Sequence, residues 1–516
     1  LLGSNVAWLR QPGNTGLVRR GLRGVEKESL RVRADGTLAK TPHPRALGAA
    51  LTHPYLTTDY SEALLEFVTP PFETNWETVQ FLCDMHVFVH RNLGDELLWP
   101  ASMPCVVNAN EEIPIADYGS SNVGLMRTVY RRGLGFRYGR AMQAIAGAHF
   151  NYSLPEAFWE AYRERDGTVA TLRDFKSEQM MGLVRNYRRY AWLIVYLFGA
   201  SPAFCKSFRP QGHELLKELD AATWYAPYAT SLRMSDMGYR NSTQARLSIS
   251  ANSLGDYIAG LQAAVTTVDP RYAEIGVVAD GEFRQLNANI LQIENEYYSS
   301  VRPKPRDRNV RPITALRNDG VEYVEVRTLD LNAADPVGVN QAQMRFLEAL
   351  LLFCLLADSP PISPQEQLEI DARDVQVARE GRRPRLRIPR AGASVGLRQW
   401  GIGLVDEIEA TAALLDQDGR DYSAAVDAVR AALADSDRTP SARLIADLRA
   451  NDSSFFEYGL ELARSHHAYF LSLPWASDKE EFLAAAGERS LAEVGALEAR
   501  EDLPFDEYLR RHSSVF

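Results

Sequence analysis

Glu26 and Glu28 stand two apart in Gly24-Val25-Glu26-Lys27-Glu28-Ser29-Leu30-Arg31-Val32, and that spacing constrains the fold more than any other feature of the chain. A strand repeats every two residues, so in an extended segment both carboxylates point to the same face. Two like charges side by side then need a partner, and a cation held between them is the direct one.

Other short segments offer groups of the same kind. Thr58-Asp59-Tyr60-Ser61-Glu62-Ala63-Leu64-Leu65-Glu66-Phe67-Val68 supplies Asp59 and Glu66. In Ala148-His149-Phe150-Asn151-Tyr152-Ser153-Leu154 the alternation of a half-buried strand puts His149, Asn151 and Ser153 on one face. The β-branched run Val321-Glu322-Tyr323-Val324-Glu325-Val326-Arg327-Thr328-Leu329 also reads as strand, with Glu325 and Arg327 on a shared face. Carboxylates with one imidazole and few sulfurs suit a hard cation, Mg²⁺ or Mn²⁺, rather than zinc. Mg²⁺ is usually shared with substrate phosphates, which points to nucleotide chemistry. Since 67 acidic residues in 516 guarantee chance pairs on solvated strands, the weight rests on four such segments together.

A chain of 516 residues exceeds one ordinary core, so an α+β catalytic region over 1–364 and a mainly helical region over 365–516 packed on it are expected. Strands are expected near 24–33, 57–68, 147–154, 229–236, 245–251, 284–294 and 321–329. Helices are expected over 75–98, 174–198 and 340–357, with Asn75 as the cap of the first. Beyond 365, segments 404–416, 421–435, 440–450, 455–472 and 480–499 show helical periodicity. Neither G-x-x-x-x-G-K-[ST] nor G-x-G-x-x-G occurs, and strands do not alternate with single helices, which disfavours a doubly wound nucleotide fold. The remaining architecture is a mostly antiparallel sheet whose concave face carries the acids.

The formal charge of −10, without a long basic run, argues against nucleic acid as a partner. The longest apolar stretches, Trp192 to Ala200 and Ala349 to Ala357, are far shorter than the ~20 residues of a bilayer span. Four cysteines (Cys83, Cys105, Cys205, Cys354) with no C-x-x-C spacing fit free thiols in a reducing, cytoplasmic compartment. The start Leu1-Leu2-Gly3-Ser4-Asn5 lacks both an initiating Met and a charged-then-apolar leader and reads as trimmed. Adjacent His466 and His467 point about 100° apart on a helix, so surface or capping roles are expected of them rather than joint metal binding. The loop Arg302-Pro303-Lys304-Pro305-Arg306-Asp307-Arg308-Asn309-Val310-Arg311-Pro312 is cationic and proline-broken, either a flap over phosphates or a solvated loop.

From about Gly24 to Pro361 the chain resembles glutamate-cysteine ligases of the bacterial monofunctional type, in the wider glutamine-synthetase-like group. The resemblance is carried in order by Gly24 to Val32, Leu51-Thr52-His53 through Thr69-Pro70, Leu98-Trp99-Pro100 to Met103-Pro104-Cys105, Gly147 to Ser153, Leu197 to Pro202, Gln292-Ile293-Glu294-Asn295-Glu296, Arg302-Pro303-Lys304, Val324 to Arg327 and Ser441-Ala442-Arg443. It implies a curved antiparallel sheet and ATP- and Mg²⁺-dependent joining of the γ-carboxylate of L-glutamate to the amine of L-cysteine through a γ-glutamyl phosphate. It assigns metal binding to Glu26, Glu28, Asp59, Glu66, His149 and Glu325, the transferring phosphate to Arg327, and the substrate α-carboxylate to Arg233. Its cysteine pocket falls on Tyr60, Tyr130, Leu134, Gln143, Tyr239 and Tyr298. Tyr60 departs from the Phe of the pattern, so its hydroxyl is expected either at the thiol end or in water. No protein thiol is needed by this route. Two rivals stay open: a γ-glutamyl ligase for another small amine, and a silent homologue that only binds nucleotide or glutathione. A monomer is the default expectation.

Overall fold

The computed structural model describes the chain except for residues 105–106, 108–111, 209–215, 239–246, 308–309, 418, 501–502 and 514–516. Its centre is the strand that carries the paired glutamates. Among the described residues the main sheet has seven strands: β1 (Leu22–Val32), β2 (Leu56–Thr58), β3 (Leu64–Val68), β4 (Leu97–Leu98), β5 (Ala148–Ser153), β6 (Val301–Lys304) and β7 (Tyr323–Leu329). The spatial order is β6-β7-β5-β1-β3-β2, every pairing is antiparallel, and β4 pairs with the end of β1. Register does the positioning, since Glu26 lies opposite His149, Glu28 opposite Glu66 and Glu325 opposite Asn151. Directly opposed side chains are close enough to interact across the sheet.

The two faces of β1 use charge differently. Towards the helices, Arg23 is fully buried against Glu348 (Nε to Oε2 2.9 Å) and Arg31 against Glu96 (2.6 Å). Lys27, between them, has no carboxylate; it donates to Ser29 Oγ, meets His86 Nε2 at 3.3 Å, and burial pushes its ammonium down to about 7. Each charge on this face is therefore paired or easily given up, as a buried cation requires. Helices Leu172–Phe198 and Gln341–Leu356 cover this side, the second started by a capping box at Asn340 and Gln343.

Helix Asn75–Asn92 is capped by Thr74, whose hydroxyl accepts from Glu77 N, and not by Asn75. Asn75 turns inward instead and donates to Glu348 and Tyr422 (3.1 and 3.2 Å), a tertiary use that the local pattern could not show. Of the expected strands, 229–236 consists of turns, 247–251 has no regular structure, and 284–294 is irregular; 245–246 lie outside the described residues. In 229–236 the backbone turns to carbonyls outside any ladder, Thr230 and Ser231 N to Ala378 O and Met234 N to Ser231 O and Oγ, and in 284–294 Gln292 Oε1 accepts from Leu286 N at 3.0 Å.

Beyond residue 364 the chain is mainly helical: Pro364–Glu380, Leu397–Leu415, Asp421–Ala434, Pro440–Ala450, Phe455–Ser472, Ser477–Glu498 and Phe505–Ser513. The first and last of these helices carried no expectation. Leu404, Val405, Ile408, Leu448 and Leu483 share one continuous hydrophobic core with the sheet. His466 is buried rather than exposed, and His467 turns to His90 of helix Asn75–Asn92, Nδ1 to Nδ1 3.0 Å. No helix among the described residues is long and apolar enough to cross a membrane.

Candidate active site

The face of β1 opposite Lys27 opens on a cavity of about 630 Å³. Glu26, Glu28, Glu66, His149, Glu325 and Arg327 reach it from four strands, and Asp59 from the turn after β2. Helix Asn122–Tyr138 closes one side. Its start is capped by Ser121, and its residues Arg127, Tyr130, Arg131, Leu134 and Tyr138 recur every three or four positions, one helical face turned to the cavity.

Three ligand atoms come together here. Donor atoms of Glu26, His149 and Glu325 all lie within 4.8 Å of one another. His149 Nδ1 stands 3.1 Å from Glu26 Oε2 and 3.4 Å from Glu325 Oε1, while Asn151 Nδ2 donates to Glu26 Oε1 at 3.0 Å. Burial, then Arg327, lowers the imidazole below its usual value, and the two carboxylates only partly oppose them. The ring is thus neutral near pH 7 and keeps a lone pair for a cation. Glu325 is 1% exposed, yet its carboxyl is held well below the usual range: burial opposes ionisation, and Lys304, Arg327, Arg302 and His149 outweigh it. Arg327 donates to Glu325 Oε1 at 2.8 Å; Lys304 Nζ lies 3.2 Å from Oε2, an ion pair without a well-directed hydrogen bond.

The other acids meet no such compensation. Burial and then Asp59 push Glu28 up to about 8, although Arg233, Arg327 and the Gly147 N–H (2.6 Å to Oε2) pull the other way. Glu66 is raised well above its ordinary value by burial and by Asp59, Glu26 and Glu28. Arg131 is the near cation, 4.0 Å from Asp59 Oδ1, but it donates to the backbone carbonyl of Asp59 and packs over Tyr118. A carboxylate-rich, imidazole-containing set that is short of positive charge and partly without hydrogen-bond partners, as at Asn151 Oδ1 and Glu325 Oε2, fits a hard divalent cation.

Tyr130, Leu134, Gln143 and Tyr298 line the same cavity. Tyr60 does not: it is 1% exposed, its hydroxyl has no hydrogen-bond partner, and it abuts Gly135, where a Cβ would sit 2.5 Å from Oη. The hydroxyl therefore reaches neither water nor the cavity. Arg233, also 1% exposed, stays behind the wall. It donates to the carbonyl of Arg327 at 3.1 Å, pairs with Asp330 at 3.5 Å, and lies so close under Gly147 that only glycine fits there. Tyr239 lies outside the described residues. Sequence reasoning missed Arg127, Arg131, Glu294, Glu296, Tyr508 and His512 as lining residues. The i, i+3, i+4 recurrence of 127, 130, 131 and 134 was a usable signal; nothing local marks Tyr508 or His512. Cys205 and Cys354 are buried, with thiols pushed up by burial to about 12 and well above the ordinary value, and Cys83 is half-buried. None of these three lines the cavity.

Comparison with known proteins gives one consistent result. A family model described as glutamate-cysteine ligase matches residues 6–377. Curated glutamate-cysteine ligases from Pseudomonas putida and Alcanivorax borkumensis are 48% and 47% identical, over 98% and 94% of this chain and 95% and 94% of their own. The crystal structure of a glutamate-cysteine ligase from Francisella tularensis in complex with AMP superposes with a TM-score of 0.90 at 35% identity, covering 96% of this chain and 97% of that one. A bifunctional glutathione synthetase from Pasteurella multocida, 24% identical with a TM-score of 0.73 over 92% of this chain and 57% of its own, shares the fold.

Proposed function

The chain belongs to the glutamate-cysteine ligase family, an ATP-dependent ligase of glutathione synthesis, and we infer that its cavity builds γ-glutamylcysteine through a γ-glutamyl phosphate. One observation carries the reading: Glu26, His149 and Glu325 converge beside Arg327 in the cavity that Tyr130, Leu134, Gln143 and Tyr298 also line. A carboxylate is a poor electrophile, so the γ-carboxylate of glutamate first takes the γ-phosphoryl group of ATP. The amine of cysteine then attacks the acyl carbon and phosphate leaves.

Glu26, His149 and Glu325 would hold one Mg²⁺ or Mn²⁺, and Glu28, Asp59 and Glu66 supply the carboxylates for further cation binding. Held there, such a cation would supply positive charge to offset the negative charge of phosphoryl transfer. Arg327, aimed by Glu325, brings a fixed positive charge to the transferring phosphoryl group. Lys304 keeps Glu325 ionised from the other side. Tyr130, Leu134, Gln143 and Tyr298 form the cysteine side. Arg233 supports the site from behind: it holds the Arg327 carbonyl and adds positive charge near Glu28. For it to grip the α-carboxylate of glutamate directly, its side chain must leave Asp330. We further propose that residues 365–516 act as a buttress for the 1–364 core, and that the protein works as a cytoplasmic monomer.

A glutamate analogue with a sulfoximine at the γ-position and a short alkyl group in place of the cysteine side chain tests this route. Sites bind such adduct-like species about 10²–10⁸-fold more tightly than substrate, so the phosphorylated analogue should inhibit slowly and almost irreversibly. Inhibition should require Mg²⁺ and ATP and fail with a non-hydrolysable ATP analogue. Rapid, ATP-independent, purely competitive inhibition would sink the acyl phosphate.

A further inference from the structure

The helix Phe505–Ser513 begins far along the chain from the last strand of the sheet, which ends at Leu329, yet Tyr508 and His512 line the same cavity as Glu325 and Arg327. Three separate parts of the chain tie this helix down. Phe505 meets Phe283 edge-on at 5.0 Å, Asn122 Nδ2 donates to the Leu503 carbonyl at 3.0 Å, and Arg311 Nη1 donates to the His512 carbonyl at 3.2 Å. Arg311 is itself fixed by Glu294 at 3.0 Å. On the outer side, Asp506 faces Arg510 and Glu507 faces Arg511, acids in the first turn and cations in the last, which suits the helix dipole. A helix of nine residues does not persist alone in water, so its form depends on docking. Tyr508 and His512 line the cavity together with Val123 and Met126 of helix Asn122–Tyr138 and with Val310, Arg311 and Pro312.

We propose that this helix is a lid of the active site, and that Tyr508 and His512 keep water from the activated glutamyl carbonyl until the amine arrives. The need follows from the acyl-phosphate reading, on which the proposal rests. Water can do what the amine does: its oxygen attacks the acyl carbon, the bond from that carbon to the phosphate oxygen breaks, and glutamate and inorganic phosphate are released with a proton. The net change is ATP and water to ADP and phosphate, with no peptide bond made. Excluding water from a reactive intermediate is a recognised task of closing elements. Tyr508 and His512 are positioning residues in this scheme. They stand in the wall, and the phosphoryl chemistry belongs to Arg327 and the acid cluster.

The test is the ratio of ADP to γ-glutamylcysteine formed at saturating glutamate, cysteine, ATP and Mg²⁺, in the full chain. Phe505→Ala removes the docking contact without touching the cavity, and Tyr508→Ala with His512→Ala removes the wall while leaving the docking ring. Each should release ADP in roughly threefold or greater excess over product, where the parent chain stays near one to one, and Phe505→Leu should restore coupling. A parallel fall of ADP and product at an unchanged ratio would make the helix merely structural and overturn the proposal. So would a ratio and turnover that stay at the parent values. If the parent chain itself shows neither glutamate-dependent ADP formation nor ATP-dependent capture by the sulfoximine, the acyl-phosphate reading fails first, and does so without any lid variant.

Discussion

The acid cluster has two halves that differ in how their charge is met. Around Glu325, the cations Lys304, Arg327 and Arg302 hold a buried carboxylate ionised, with the His149 ring beside them. Around Glu66, burial first and then Asp59, Glu26 and Glu28 outweigh Arg131, and the carboxyl is driven the other way. Both halves face one cavity and both carry the same residue type, so residue type alone does not say what an acid is worth to the fold. The first half holds its carboxylate ionised before any ligand arrives, ready for a cation. The second is complete only with a cation from outside.

The sharpest way to break that comparison is to neutralise one acid in each half. Glu325→Gln takes the nearest counter-charge from Arg327 and Lys304, leaving them only the more distant Glu26 and, for Arg327, Glu28, and breaking a buried pair by removing one partner typically costs about 3–5 kcal/mol. Glu66→Gln instead relieves repulsion, so ligand-free stability should hold or rise by about 1 kcal/mol. Turnover should collapse in both. Denaturant unfolding of the two variants at pH 7.5 without Mg²⁺ measures this, and equal destabilisation of both would erase the distinction between the halves.

Next in size is Arg327→Lys. An ammonium cannot reproduce the guanidinium fork that Glu325 aims, and loss of a preorganised charge partner at a reacting centre costs about 10²–10³ in kcat. Because the loss falls on phosphoryl transfer, it should be the same with cysteine and with 2-aminobutyrate as acceptor. A change confined to the KM of cysteine would move Arg327 out of the transfer step.

How far the cluster was legible in sequence follows from what period two can and cannot say. Glu26 with Glu28, His149 with Asn151, and Glu325 with Arg327 are local pairs, and an extended backbone alone puts each pair on one face. That these faces meet depends on register, Glu26 against His149 and Glu28 against Glu66, which no single strand carries. The resemblance supplied that step. Arg233 shows its limit: a matched position gives identity, whereas burial beneath Gly147 and the bond to Asp330 come from packing. Tyr60 shows the same, its hydroxyl enclosed against Gly135. The misread strands at 229–236 and 284–294 are extended in pattern, but the first bonds to the Ser201 and Ala378 carbonyls and to its own turns, and the second gives Leu286 N to the Gln292 side chain. Tyr508 and His512 had no local signal at all, since a short amphipathic helix looks alike wherever it docks.

The halves can also be sharpened by supplying what the second lacks. Mg²⁺ binds only the folded arrangement, so at 100 times its dissociation constant it should raise stability by about 2.7 kcal/mol. Thermal melts with and without Mg²⁺ should show that gain in the parent chain and a smaller one in Glu66→Gln, where the Glu26, His149 and Glu325 ligands are left intact. An undiminished gain in Glu66→Gln would take Glu66 out of the cation-binding set.

The smallest effect sets the conditions under which the others are readable. Helix Phe455–Ser472 docks on helix Asn75–Asn92 through buried imidazoles, and burial lowers His90 to about 3 and His466 to about 4; His467 and Lys27 press His90 in the same direction, and Lys27 presses His466. Both rings are neutral in the fold, whereas unfolded histidine takes up its proton near pH 6.5. Between those values the unfolded chain binds more protons than the folded one, so stability is kept above pH 6.5 and lost as pH falls towards 4. Each ring should contribute about 1.4 kcal/mol per pH unit in that window. Replacing His466 with Asn should make the decline between pH 7 and pH 5 shallower by that amount in denaturant unfolding, with no change above pH 7. An unaltered slope would mean that His466 protonates in place and that this helix interface tolerates the charge.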